Sequence, residues 1–219
     1  MIVKLASIEL TPQKPVYDGG SWHVEGMGDE GIVATAIYYV SSENITTAHL
    51  RFRTTCEEPY DYEQGDREGV AEVYGIGDDD AAVQELGSCT TGSGRALAWP
   101  NSLQHKVESF ELADKSKPGR REILVYFLVD PAARRTSTAD VPPQQSEWLH
   151  MELRMMPRFR RLPEAILERI VHLVGQAGGH YLGFATAAKR REALMHERKF
   201  FVRECNEKQF VRPWSLCEH

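Results

Sequence analysis

Residues 19–40 read GGSWHVEGMGDEGIVATAIYYV, and this passage decides the fold. Its second half, Ile32 to Val40, is apolar, β-branched or aromatic without a break, the composition of a strand buried on both faces. Its first half, rich in glycine, reads as a short extended piece around Trp22 that leaves through a turn. Outward from this pair, Val3–Leu10, Ala48–Arg53, Val70–Tyr74, Arg95–Trp99, His105–Leu112 and Glu122–Val129 carry strand patterns separated by Gly, Pro, Asp and Ser. About eight short strands at this spacing predict a sandwich or barrel rather than β-α-β units.

The pattern changes after Pro142-Pro143. Pro163 suits the first turn of a helix, and Ile166, Leu167, Ile170, Val171 and Val174 recur at helical spacing. Gly178-Gly179 ends that helix, and a second is expected from about Thr186 to Arg203. The expected fold is therefore mainly β with an α appendage: a double-stranded β-helix (jelly roll) over residues 1–150, followed by C-terminal helices over 151–219 that pack on it.

Composition narrows the function classes. The 219 residues carry a net charge of -6, distributed as 13 Lys+Arg against 24 Asp+Glu before residue 151 and 13 against 8 after it. An acidic first segment predicts no nucleic-acid substrate, because phosphate binding wants a basic face. No run of about 18 apolar residues exists, so no membrane span is expected. Met1-Ile2-Val3-Lys4 lacks the features of a signal peptide, and Cys56, Cys89, Cys205 and Cys217 never form a Cys-x-x-Cys pair. An intracellular, cytoplasmic location with reduced thiols is the expectation. Oligomeric state is not written in the sequence.

The chemistry lies in Trp22-His23-Val24-Glu25-Gly26. A His-x-carboxylate pair on extended backbone puts both side chains on one side. Joined by one distant histidine, such a pair makes the facial triad of non-heme Fe(II) oxygenases, which leaves coordination positions open for 2-oxoglutarate and O2. His105 opens a strand after the turn at Pro100 and is the candidate third ligand. Arg121, at the start of the last strand, is the candidate anchor for the far carboxylate of 2-oxoglutarate, with Arg120 second. Tyr38 is a candidate hydrogen-bond donor to that cofactor. Glu30 is a rival carboxylate, since His23, Glu25 and Glu30 resemble a cupin metal motif whose second histidine is missing. His49, His150, His172, His180, His196 and His219 are read as outside the site, and Asp78-Asp79-Asp80 as a solvated loop. Cys56–Glu68 is expected to be a surface excursion able to cover the barrel mouth.

Beyond these residues, the chain resembles a fungal family of unknown function. The segments that carry the resemblance are WHVEG (22–26), IVATAIYY (32–39), ENIT (43–46), LGS (86–88), GRALAWPNSLQH (94–105), PGRREIL (118–124), FLVDP (127–131), STADVPPQQ (137–145), EALMHERK (192–199) and SLCEH (215–219). That family is remotely similar to the 2-oxoglutarate/Fe(II)-dependent oxygenases of the cupin-like superfamily through the positions of His23, Glu25, His105 and Arg121. The resemblance implies an Fe(II) site and a dioxygenase that oxidises a small or medium-sized organic substrate. It also implies that this chain corresponds to the C-terminal part of longer members. Two positions depart from the pattern: Glu25 stands where most such oxygenases carry Asp, and Arg120 where the family carries His. The alternatives are a cupin-like metalloprotein without 2-oxoglutarate, a non-catalytic β-helix binding module, and an interaction protein that works through its helices.

Overall fold

The computed structural model describes residues 1–141, 144–177, 182–205, 208 and 210–216. Nine strands and four α-helices succeed one another among them: β1 (Ile2–Leu10), β2 (Val16–Tyr17), β3 (Ile32–Glu43), β4 (Ala48–Thr55), α1 (Arg67–Tyr74), β5 (Val83–Thr91), β6 (Ala96–Pro100), β7 (Gln104–Val107), β8 (Phe110–Glu111), β9 (Gly119–Val129), α2 (Ser146–Met155), α3 (Glu164–Gln176) and α4 (Phe184–Cys205). The chain is mainly β with C-terminal helices. It divides into two compact units, Met1–Ala133 with Lys199–His219, and Arg134–Arg198.

In the first unit the strands form three antiparallel sheets, ordered β1-β9-β3-β6, β5-β4-β7 and β2-β8. The central strand β3 alternates: Thr35, Ile37 and Tyr39 are buried, whereas Val33, Tyr38 and Val40 are exposed. The expectation of a strand buried on both faces is corrected here, because the face that carries Val33, Tyr38 and Val40 is left open by the described residues. The inward residues of β3 meet Leu50 and Phe52 of β4, Trp99 of β6, Val107 of β7, and Val125 and Phe127 of β9 in one apolar core. Side chains from the four-stranded and three-stranded sheets thus share a single interior. Burying a Leu or Phe in it contributes about 1.5–3 kcal/mol each. A second cluster, Leu10, Ala48, Phe110 and Leu112, closes one end.

Several elements differ from the sequence expectation. Val70–Tyr74 is helix rather than strand: Asp66 caps it by accepting from the Gly69 N–H at 2.9 Å, and Gly75, at φ 67°, ends it in the left-handed conformation. Val70 is its one buried residue and packs with Trp214 and Leu216. β5 has no period-2 signal and carries Gly87 at its centre, yet it pairs with β4 along its whole length. His105–Leu112 is two short strands in different sheets, interrupted at residues 108–109. Around Trp22 there is no strand; the segment meets β7 through an isolated bridge between His23 and His105 and a bond from the Gly20 N–H to the Val107 carbonyl at 2.9 Å. The irregular stretch from Cys56 ends at α1, and its Tyr62 stands edge-on to Trp214, 5.4 Å between centroids. Asp78 and Asp80 hold the same C-terminal segment: Asp78 Oδ1 accepts from the Leu216 N–H, and the Asp80 carbonyl from the Trp214 N–H.

The second unit holds α2 and α3, with Leu153 and Leu167 buried. α2 was not evident in the sequence. α3 starts after Pro163 as expected, and α4 extends two residues beyond the expected helix at each end. Glu164 pairs with His150 at 2.7 Å and with Arg154. No described helix is long and apolar enough to cross a membrane. Cys56, Cys89 and Cys205 are free thiols, while Cys217, His180, His219, Pro142-Pro143 and Gly178-Gly179 lie outside the described residues.

Candidate metal centre

His23 and His105 face each other across the antiparallel bridge and exchange both backbone hydrogen bonds, His23 N–H to the His105 carbonyl at 3.1 Å and the reverse at 3.0 Å. Their rings lie 4.4 Å apart. Two residues after His23, extended backbone returns the side chain to the same face, and the Glu25 carboxylate reaches the pair. Glu25 Oε1 lies 3.8 Å from His23 Nε2 and 3.3 Å from His105 Nε2. Among the described residues, these three form the one group of His, Cys, Asp or Glu whose ligand atoms converge, all within 4.8 Å.

Each side chain is held by a separate device. His23 Nδ1 donates to the Ser21 carbonyl at 2.8 Å, which fixes the tautomer and leaves the Nε2 lone pair for a ligand role. The His105 ring, only 4% exposed, is set by packing. Trp99 stands edge-on to it at 4.8 Å, and Phe52 lies beyond at 6.5 Å. Glu25 is fixed through its backbone: its N–H donates to Asn101 Oδ1 at 2.8 Å, and its carbonyl accepts from Asn101 Nδ2 at 2.9 Å.

Charge is tuned as the contacts dictate. Burial, and then the His105 charge, hold the His23 imidazole below the ordinary histidine pKa. Burial pushes the Glu25 carboxyl up, but the His105 hydrogen bond and the charges of His23 and His105 outweigh it, so Glu25 titrates below the ordinary carboxylate value. A neutral imidazole beside an ionised carboxylate is the state that binds a divalent cation. Glu25 Oε1, 3.3 Å and 3.8 Å from the two Nε2 atoms, stands where it and both imidazoles could reach one ion. The donor set fits a metal.

Arg121 lies deeper in the same unit and is 3% exposed. Its Nη2 donates to Thr91 Oγ1 at 2.9 Å, and its guanidinium carbon sits 4.6 Å from the Tyr39 ring centre and 5.2 Å from that of Phe110. No carboxylate pairs with it among the described residues, and its Nη1 and the Tyr39 hydroxyl are buried without a formed hydrogen bond. Burial depresses its pKa, with Tyr39 opposing. The triad and Arg121 meet the same core, because His105 packs on Trp99, and Trp99 shares its cluster with Tyr39.

The remaining candidates lie elsewhere. Tyr38 points out from β3 and is 40% exposed, whereas its neighbour Tyr39, fully buried on the other side of the pleat, is the tyrosine that meets Arg121. Arg120 alternates outward and pairs with Glu9 at 3.9 Å and with Glu122. Glu30 closes a 3-10 turn by accepting from the Met27 N–H at 2.9 Å and is outside the cluster. Sequence reasoning missed Asn101, Thr91 and Tyr39. Both faces of IVATAIYYV are apolar, so the sequence does not separate Tyr39 from Tyr38, and Asn101 looks like an ordinary turn residue after proline.

Fold and site together define an antiparallel β-protein that carries a two-histidine, one-carboxylate cluster and, in the same unit, a buried arginine with no carboxylate partner among the described residues. Residues 1–152 match the family described as "Protein of unknown function (DUF4246)", and the chain belongs to that family. No protein of curated function matches the chain. Among solved structures, the chain is similar to hydroquinone 1,2-dioxygenase PnpCD in a complex with Cd2+ and 4-hydroxybenzonitrile, at 13% identity and a TM-score of 0.28. That similarity covers 60% of this chain and spans 61% of the length of the other.

Proposed function

We propose that the chain is an Fe(II)- and 2-oxoglutarate-dependent oxygenase built on a double-stranded β-helix, acting with O2 on a small or medium-sized organic substrate. The strand order supports the fold, because the chain leaves the β1-β9-β3-β6 sheet and returns to it three times, by way of β2, of β4 and β5, and of β7 and β8. The observation that carries the function is the convergence of His23, Glu25 and His105 in the unit that also buries an arginine without a counter-ion among the described residues.

His23, Glu25 and His105 would hold the iron, which when bound would supply the chemistry that couples oxidative decarboxylation of 2-oxoglutarate to substrate oxidation. The Ser21 carbonyl keeps His23 Nε2 unprotonated. Trp99 and Phe52 exclude water behind His105. The Arg121 guanidinium offers a dicarboxylate a charge-assisted contact in a place where a buried cation otherwise costs several kcal/mol. Thr91 and Tyr39 orient that guanidinium, and the Tyr39 hydroxyl is available to the same carboxylate.

Anaerobic titration with Fe(II), then with 2-oxoglutarate, tests the reading. Stoichiometric iron followed by a 2-oxoglutarate-dependent charge-transfer absorption is expected. Iron without that absorption replaces the reading with a metalloprotein that does not use 2-oxoglutarate. Absence of iron binding leaves a binding or interaction module.

A further inference from the structure

The antiparallel bridge between His23 and His105 sets a register in which Glu25 would next face Leu103. Leu103 is unavailable, because the chain turns there: the Leu103 N–H donates back to the Pro100 carbonyl at 3.1 Å. The side chain of Asn101 takes its place. Oδ1 accepts from the Glu25 N–H at 2.8 Å and Nδ2 donates to the Glu25 carbonyl at 2.9 Å, the pair of bonds a neighbouring strand residue would make. Nδ2 donates again to the Ile32 carbonyl at 2.9 Å, and the Asn101 backbone N–H donates to the Val33 carbonyl at 2.9 Å. One residue therefore clasps both ends of the loop that leaves Glu25 and enters β3. The amide orientation follows from this network, since exchanging O and N would break all three side-chain bonds.

We propose that Asn101 is a positioning residue of the metal site, which sets Glu25 against the two histidines by completing their ladder with its side chain. This rests on the metal reading of His23, Glu25 and His105. Asn101 touches no ligand atom, and its effect passes through the Glu25 backbone. Only a carboxamide supplies an acceptor and two donor hydrogens in one plane at this reach. Alanine removes all three bonds, and aspartate keeps the acceptor but meets two carbonyls with no donor.

Asn44 offers a matched control away from the triad. Its Nδ2 donates to the Asp114, Lys117 and Pro118 carbonyls and its Oδ1 accepts from the Asp114 N–H, so it clasps a loop in the same way. The experiment measures Co(II) affinity and the Co(II) ligand-field spectrum of the wild-type chain, Asn101→Ala, Asn101→Asp and Asn44→Ala, with folding checked by circular dichroism. Asn101→Ala and Asn101→Asp are expected to lose about 10–100-fold in Co(II) affinity with an altered spectrum, as outer partners of metal ligands do. Asn44→Ala should lose thermal stability while keeping wild-type affinity and spectrum. Equal affinities and spectra in all four proteins overturn the positioning role while leaving the metal site intact. So does equal weakening in Asn101→Ala and Asn44→Ala, which marks a general stability effect. Failure of the wild type to bind Co(II) overturns the metal reading itself, and this inference with it.

Discussion

Glu25 Oε1 stands 3.3 Å from His105 Nε2, although the carboxylate leaves a loop and the imidazole leaves a strand. The join is made by main chain and packing: the His23–His105 bridge, the Asn101 bonds to the Glu25 backbone, and the Trp99 ring against His105.

Removal of any one ligand is expected to abolish stoichiometric metal binding. Glu25→Gln is the mildest probe, because it keeps volume and the Asn101 bonds to the backbone. His105→Ala also opens a cavity beside Trp99 and is expected to cost about 2 kcal/mol or more of stability. Metal analysis after dialysis checks this, and a full equivalent of iron retained by His105→Ala would remove that residue from the ligand set.

Arg121→Met is expected to bind metal normally and to lose about 10–100-fold in 2-oxoglutarate affinity, the range for a buried charge-assisted hydrogen bond. The same change removes a buried cation that has no counter-ion, so the ligand-free protein is expected to hold or gain stability, by up to about 1–4 kcal/mol. Titration calorimetry and thermal melts read the two effects. A marked fall in the ligand-free melting temperature would mean that the Thr91 bond and the ring contacts outweigh the cost of the buried charge.

The metal-free protein is expected to lose stability on acidification. His23 is depressed in the folded state, so below the unfolded histidine value of about 6.5 the unfolded chain binds the extra proton and gains. Glu25 is depressed too, and adds a loss of the same sign as pH falls below about 4.3. Urea midpoints measured between about pH 7.5 and 5 should fall in the wild type and fall less in His23→Gln. Parallel curves for the two proteins would count against a depressed His23.

Tyr38 and Tyr39 should separate cleanly. Tyr38→Ser lies on the exposed face and is expected to stay within about 0.5 kcal/mol of wild type, with metal and 2-oxoglutarate affinities unchanged. Tyr39→Ala empties the core beneath Arg121 and should cost about 3–5 kcal/mol. Comparable losses in both variants would contradict the strand parity described above.

Much of this architecture is legible in the sequence where a pattern is local. Ala48–Arg53 alternates visibly, and Glu122–Val129 and Ile32–Val40 are apolar enough to mark their strands. His23, Glu25 and His105 stand out together by order and strand context, and the chain brings them together. Arg121 is separable from Arg120 by its register with the residues that follow it. What stays hidden depends on distant partners. β5 is a strand because β4 pairs with it, and nothing in VQELGSCTT demands that. α1 follows from a cap at Asp66 and from Trp214, a residue more than a hundred positions away. The parity of Tyr38 and Tyr39 is fixed by which face the second sheet covers. Asn101 is invisible as a clasp until the His23–His105 register shows which partner Glu25 lacks.

The Glu25–Asn101 clasp joins residues 76 positions apart. A contact of that span forms only after most of the intervening chain has closed, since loop entropy delays distant pairings. The centre is therefore a late product of folding, absent from any partly collapsed intermediate that lacks this closure. On the proposed metal reading, a divalent cation would bind only the finished molecule and draw the equilibrium toward it by mass action. Uptake of metal would then double as a signal that the chain has reached its native topology.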